Sequence, residues 1–143
     1  IKSSAASDVY KRQVVHGDYN YHNLIMLRDD IAVTDFEHMH TDIQIKDFCY
    51  FLRKAMEKNQ WKQKTGQNIL EAYESVRQLK PDEREYLCLR LAYPEKFWKI
   101  ANHYYNANKA WGFGRYLEKL EKIKAEEENR EQFLAYMKHF AYS

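Results

Sequence analysis

Long apolar runs, cysteines and an excess of charge are all scarce in this sequence of 143 residues, and each shortage excludes something. No stretch approaches the ~20 consecutive apolar residues that a membrane-spanning helix needs. The opening residues lack the pattern of a secretory signal peptide. The net charge is only +2, and Lys and Glu are interspersed, which argues against a nucleic-acid partner. We therefore expect neither a membrane nor a nucleic acid among its partners.

The two cysteines, Cys49 and Cys88, both lie among apolar neighbours. Cysteines in such surroundings are typical of reduced core positions rather than of a disulfide, which indicates a cytoplasmic context. Hydrophobic residues make up 45% of the chain and aromatic residues 15%, enough for one compact domain with a real core. The aromatic residues are expected to dominate that core. This expectation includes a cluster in the second half of the chain: Phe97, Trp98, Tyr104, Tyr105 and Trp111.

Residues 1–13 are predicted to be a leader that is not part of the native protein. Residues 1–7 are a small polar run without periodicity, and residues 8–13 read as the translation of a common transposase sequencing adaptor. Segments of foreign origin are excluded from fold reasoning. The folded domain is then expected to cover residues 14–143.

Two short apolar runs predict a β-hairpin. The runs are residues 24–27 and 31–34, and the polar residues 28–30 between them have turn chemistry. An antiparallel hairpin would place Asn23 at the start of one strand and Asp35 at the end of the other. Their side chains could then converge on one ion although twelve residues separate them.

The chain beyond this hairpin is predicted to be helical. Apolar residues follow helical spacing, with helix starts expected at Asp47, Thr65 and Pro81. The acidic run at residues 126–128 is expected to be a solvated face or a break. The predicted fold class is therefore α+β and predominantly helical, with a small hairpin packed on a helical bundle.

Two short motifs flank the hairpin and carry the chemistry. The sequence His-Gly-Asp ends at Asp18, Asn23 follows five positions later, and Asp-Phe-Glu begins at Asp35. Asp18 could orient an acceptor hydroxyl or take its proton, and Asn23 and Asp35 offer the oxygen ligands that Mg²⁺ prefers. Glu37 could reach a second ion, and His16 is expected to anchor the loop. The motifs thus predict phosphoryl transfer.

Nearby histidines leave a second possibility open. His22, His38 and His40 lie close to the motifs in sequence. Together with His16 and Asp35 they could form a transition-metal site for hydrolysis, although their spacing matches no compact ligand pattern.

These motifs resemble those of the aminoglycoside phosphotransferase and choline/ethanolamine kinase superfamily, which has a protein-kinase-like fold. Further segments are similar to the CotS-type spore coat proteins of endospore-forming bacteria: residues 42–54, Trp61, and residues 93–100, 104–106 and 109–111. The resemblance extends from about Val14 to the end of the chain. It implies the C-terminal lobe of a kinase-like fold, in which Asp47 braces the catalytic loop through hydrogen bonds to its backbone.

The resemblance also implies a function. The chain is expected to be the C-terminal fragment of a spore coat protein. The intact protein would be a Mg²⁺- and ATP-dependent phosphotransferase acting on a hydroxyl-bearing small molecule or coat component. Only fifteen residues precede His16, and the nucleotide-clamping Lys and its Glu partner have no counterpart. The N-terminal lobe is therefore expected to be missing and this fragment alone to be inactive.

A non-catalytic structural or assembly protein of the coat is the alternative that the resemblance leaves open. Either function implies synthesis in the mother-cell cytoplasm and assembly onto the spore coat, with other coat proteins as possible partners.

Overall fold

The computed structural model of the chain describes residues 12–106 and 112–142. These residues belong to two compact units, one ending at Asn59 and the other beginning at Gln60. The first strand starts at Arg12, two residues before the predicted start of the domain. Residues 1–11 of the predicted leader and Trp111 lie outside the described residues, so the leader stays a prediction.

The first unit contains two small antiparallel sheets. β2 (Leu24–Met26) pairs with β3 (Ile31–Val33), and the Leu27 N–H donates to the Asp30 carbonyl at 2.9 Å to close the turn. This is the predicted hairpin, which is confirmed. β1 (Arg12–Val15) pairs with β4 (His40–Ile43), and this pairing was not predicted.

One helix completes the first unit. α1 (Ile45–Lys58) buries an apolar face and carries Asp47 in its first turn, where a negative charge is favourable. Two 3₁₀ turns, Tyr21–Asn23 and Phe36–His38, lie directly before β2 and between β3 and β4. Both turns contain residues of the chemical motifs.

All regular secondary structure among the described residues of the second unit is helical. It consists of α2 (Gln63–Val76), α3 (Pro81–Ala92), α4 (Glu95–Asn106) and α5 (Phe113–Tyr142). The helix start at Pro81 is confirmed, as expected of a proline, which needs no N–H at the first helical position. α5 packs against each of the other three helices. Among the described residues, no helix combines the length and apolarity required to cross a bilayer.

Two sequence expectations for the helices were wrong in whole or in part. Thr65 lies inside α2, which begins at Gln63. The acidic run does not break α5, and Glu128 is exposed as a solvated face requires, but Glu126 is buried with one carboxylate oxygen 3.7 Å from the Lys96 ammonium. A helix as long as α5 passes under its neighbours, so a polar position within it can be covered.

The expected aromatic core was also wrong. Most fully buried large side chains are aliphatic or methionine; the aromatic members of the core are Phe48, Trp61, Tyr116 and Phe133. The described members of the aromatic cluster are about half exposed or more: Phe97, Trp98, Tyr104 and Tyr105. Ile100 is the buried residue of α4, so most of that helix faces solvent. Cys49 and Cys88 are buried and are not joined in a disulfide, which confirms the predicted core positions.

Candidate functional site

Asp18 lies in the loop that joins β1 to the first 3₁₀ turn, and two asparagines of that loop hold its carboxylate. The Asn20 amide donates to Asp18 Oδ1 and the Asn23 amide donates to Asp18 Oδ2, each at 3.0 Å. Both amides also donate to the Asp18 backbone carbonyl, at 3.0 and 2.9 Å. Asn20 Oδ1 in turn accepts from the His22 N–H at 2.9 Å, which starts the 3₁₀ turn. Side chains of this loop therefore hold the Asp18 carboxylate in place.

Tyr50 of α1 also affects the titration of the Asp18 carboxylate. Burial raises the pKa of Asp18, but the hydrogen bonds from Tyr50, Asn23 and Asn20, together with the charge of His38, outweigh it and lower the pKa below its ordinary value. Asp18 is consequently an anion throughout the physiological pH range.

Asp47 connects the same helix to the loop backbone. Its carboxylate accepts from the His16 N–H at 2.6 Å and from the Gly17 N–H at 3.0 Å. These are charge-assisted hydrogen bonds across about thirty residues of sequence, and such bonds are the stronger kind. These two hydrogen bonds are the contact between Asp47 and the loop backbone that the family resemblance implied. Their importance for catalysis stays a prediction.

His16 connects the loop to the Asp-Phe-Glu segment. Its Nε2 lies 2.8 Å from the Thr34 carbonyl, and its Nδ1 lies 3.3 Å from the Asp18 N–H. A carbonyl can only accept, so Nε2 carries the proton and donates, while Nδ1 accepts. The ring also packs against Phe36 with centroids 4.9 Å apart. His16 is buried and fully engaged, which suits an anchor rather than a proton carrier.

Gly17 allows the two motif segments to approach closely. Its φ is +81°, and a Cβ at this position would lie 2.3 Å from the His38 carbonyl oxygen. Only glycine fits both the backbone conformation and the space. The loop and the second 3₁₀ turn are therefore in backbone contact.

The hairpin brings the proposed metal ligands to the same end of β2 and β3. The Thr34 N–H donates to the Asn23 carbonyl at 3.0 Å, and Asp35 follows Thr34 directly. Asp35 is exposed and adopts a left-handed conformation with φ 64° and ψ 64°, which is uncommon for a residue other than glycine and concentrates at functional sites. Glu37 is exposed in the turn that follows.

The chemistry of these donors fits a magnesium ion. Because the Asn23 amide nitrogen faces Asp18, its side-chain oxygen points the other way and accepts no hydrogen bond from residues 12–106 or 112–142. The Asp35 carboxylate is likewise exposed. The usual ligands of Mg²⁺ in proteins are one or two protein oxygens together with waters and substrate phosphates.

The histidine-rich alternative has no matching geometry in the described parts of the chain. There, no three His, Cys, Asp or Glu side chains gather closely enough to hold a metal ion. His16 and His40 contact backbone carbonyls, and His40 Nε2 also lies 3.4 Å from Asp42. The predicted ligands Asp35 and Glu37 thus do not join the histidines.

Sequence reasoning missed two residues of this site, Asn20 and Tyr50. Asn20 carries a signal that could have been read, since an asparagine side chain commonly hydrogen-bonds the backbone two residues further on and closes a local turn. Tyr50 is three residues beyond Asp47, and this spacing places both on one face of a helix. That Tyr50 affects Asp18 follows only from the tertiary structure.

The two sheets, the braced His-Gly-Asp loop and the helices define a protein of the kinase-like fold, of which this chain has the C-terminal lobe. The chain belongs to the family described as "Spore coat putative kinase YutH", which matches residues 6–137. This match confirms the resemblance to spore coat proteins. No curated protein sequence matches the chain.

A solved structure supports the fold independently. It is the crystal structure of an aminoglycoside phosphotransferase from Alicyclobacillus acidocaldarius, with a TM-score of 0.83 and 20% sequence identity. The similarity covers 95% of this chain and 40% of the other. The chain therefore spans less than half the length of that structural relative, and the predicted fold class is confirmed.

Proposed function

We propose that the protein to which this chain belongs transfers the γ-phosphoryl group of ATP to a hydroxyl group of a small molecule or a coat component. One observation carries the proposal: the Asp18 carboxylate accepts from the side chains of Asn20 and Asn23, and the Asn23 amide oxygen, which faces away from Asp18, accepts no hydrogen bond from residues 12–106 or 112–142. A carboxylate for the acceptor and an oxygen for a cation therefore lie next to each other.

Each residue has a separate task in this reaction. Asp18 accepts a hydrogen bond from the acceptor hydroxyl and aims its oxygen at the γ-phosphorus. As the new P–O bond forms, the bond to the ADP oxygen breaks, and the hydroxyl proton passes to Asp18. Asn23 and Asp35 would hold Mg²⁺, which offsets the charge of the phosphates when bound. His16, Gly17 and Asp47 keep the two segments in register.

Binding of Mg·ATP tests the nucleotide half of the proposal. Calorimetry would compare this chain with a longer protein that includes an ATP-cradling lobe. The longer protein is expected to bind at micromolar concentration only with Mg²⁺ present, and the chain alone to bind barely at all, because the lobe contributes to holding the triphosphate. Micromolar binding by the chain alone would contradict the assignment of the nucleotide contacts.

Matched variants of the longer protein separate the metal site from general charge effects. Asp35→Asn removes a proposed ligand and is expected to weaken Mg·ATP binding by about ten-fold or more. Asp29→Asn removes the same charge from the exposed hairpin turn and should leave binding unchanged. Equal behaviour of the two variants would refute Asp35 as a ligand.

The second candidate function is a coat structural or assembly protein that keeps the kinase-like shape without turnover. Membership of a spore coat family favours it. In that case the longer protein would not bind Mg·ATP, and Asp18→Asn would leave assembly onto the spore coat unaffected. Under the first proposal, Asp18→Asn removes transfer of labelled phosphate from ATP to coat extracts.

A further inference from the structure

Asn20 has no task in the proposed reaction, although it lies between two residues that do and is only 6% exposed. A buried amide side chain needs partners for its oxygen and for its nitrogen, because burying an unpaired polar group is costly. The oxygen of Asn20 accepts from the His22 N–H at 2.9 Å, and the nitrogen donates to Asp18 Oδ1 at 3.0 Å. Asn20 therefore joins the reactive carboxylate to the turn that follows it.

The partners of the two asparagines fix how each amide faces Asp18. A backbone N–H can only donate, so the Asn20 atom that faces His22 is the oxygen, and the nitrogen faces Asp18. This nitrogen donates to the Asp18 backbone carbonyl and to Oδ1, each at 3.0 Å. The Asn23 nitrogen donates to the same carbonyl at 2.9 Å and to Oδ2 at 3.0 Å. The two carboxylate oxygens are thus held by different asparagines, and rotation of the carboxylate would break both bonds.

Asn20 also fixes the place of Asn23. The Asn20 carbonyl accepts from the Asn23 N–H at 3.1 Å, which closes the 3₁₀ turn Tyr21–Asn23. The backbone of Asn20 is extended, with φ −143° and ψ 170°, and its side chain caps the turn as an asparagine at a helix start does. One residue therefore determines both where the carboxylate points and where the proposed metal ligand lies.

We propose that Asn20 is a positioning residue of the phosphotransfer site, which holds the Asp18 carboxylate in a fixed relation to the turn that carries Asn23. The inference rests on the proposed function and deepens it. In-line transfer requires that the acceptor oxygen and the phosphates be held in one geometry, and these two residues serve the two sides of that geometry. Asn20 itself takes no part in the bonds that form and break.

Asn20 is the member of the pair that can be tested alone. Asn23 holds the carboxylate and is also a proposed metal ligand, so its replacement would remove two functions together. Asn20 directs its oxygen to the backbone of the turn instead. Its replacement is therefore expected to disturb the orientation of Asp18 and to leave the contacts of Mg·ATP in place.

Turnover by the longer protein tests the role of Asn20. The assay is ADP release from Mg·ATP, in which water takes the acceptor position, so no acceptor needs to be known. Asn20→Asp keeps the size and the capping oxygen but replaces the donor by an oxygen that repels Asp18. Asn20→Ser also keeps a capping oxygen and has only one hydrogen to donate.

Both variants are expected to lower kcat by about ten-fold or more, while the KM for Mg·ATP changes by less than about two-fold. The matched control is Asn59→Ser, which removes an exposed amide that donates to the Ala55 carbonyl at the end of α1. It should leave both kinetic constants unchanged. If Asn20 were only a cap of the turn, Asn20→Asp and Asn20→Ser would keep the wild-type kcat, and this result would overturn the inference.

A spectroscopic measurement on this chain tests the contact without relying on turnover. The side-chain amide signals of Asn20 in the ¹⁵N-labelled chain are assigned by their disappearance in Asn20→Asp. Their hydrogens should exchange with solvent more slowly than those of exposed Asn59, and Asp18→Ala should move their proton signals toward those of a free asparagine. Fast exchange in the wild type, or signals that Asp18→Ala leaves in place, would contradict the role of Asn20 even if its variants do not fold.

The kinetic outcomes separate this inference from the function on which it rests. A wild-type protein without turnover overturns the proposed function and the role of Asn20 together. An active wild type that both Asn20 variants match in kcat overturns the role of Asn20 alone. An active wild type with a selective loss of kcat in both variants supports the function and the inference.

Discussion

Replacing Gly17 by alanine should damage the site and the stability of the chain together. The added Cβ would lie 2.3 Å from the His38 carbonyl oxygen and 3.0 Å from its carbonyl carbon. An ordinary contact is about 3.5 Å, so one backbone segment must shift by about 1 Å. Neither segment can rotate away as a flexible side chain would, because both atoms belong to the His38 backbone.

Three terms set the size of the Gly17→Ala effect. A φ of +81° is left-handed, which costs an L-residue about 1–2 kcal/mol, and the clash adds to this. The alanine restricts the unfolded chain and returns about 0.4–1 kcal/mol. The net expectation is a loss of about 2–3 kcal/mol in the free energy of unfolding. For a chain of this size, that loss corresponds to a midpoint lowered by about 6–10 °C.

Urea unfolding of Gly17→Ala measures this loss, and Gly114→Ala is the matched control. Gly114 lies in the first turn of α5 without a positive φ, and no described heavy atom lies within 4 Å of its Cβ position. Its replacement should be neutral or stabilise by up to about 1 kcal/mol. If the two alanine variants unfold alike, the close approach of loop and turn is not the constraint on Gly17.

Three further expectations concern stability. Asp47→Ala leaves two loop N–H groups without their acceptor and should cost about 2–4 kcal/mol by the same urea titration. The hydrogen bond from Lys46, aided by a backbone N–H, lowers the pKa of Asp42 to about 2. The stabilisation that ionised Asp42 contributes is therefore complete above about pH 4 and is lost as the pH falls toward 2. The urea midpoint of Asp42→Asn should lie below that of the wild type at pH 6 and equal it at pH 2. The Arg130 guanidinium donates to the last two backbone carbonyls of α3. Arg130→Met should therefore lower the free energy of unfolding by about 1–2 kcal/mol. The control Lys138→Met replaces an exposed lysine of the same helix and should leave the free energy of unfolding unchanged.

Local sequence determined the elements whose signals are short in range. The hairpin follows from two apolar runs around a polar turn, and the start of α3 follows from Pro81. Asp18, Asn23 and Asp35 could be named as candidates because their chemistry and spacing match those expected of a phosphotransfer site. In these cases the relevant interactions join residues close in the chain, so composition and order specify them.

Tertiary structure alone decided which distant residues meet. β4 is short and polar, and about thirty residues of sequence separate it from its partner β1. No local sequence pattern therefore predicts that the two strands pair. Glu126 is buried although its sequence neighbours are acidic, since burial depends on which helices cover α5. Likewise the bonds from Asp47 to the loop N–H groups depend on where α1 lies. Contacts of this kind arise from packing over the whole chain, and a linear pattern does not contain the distances that packing creates.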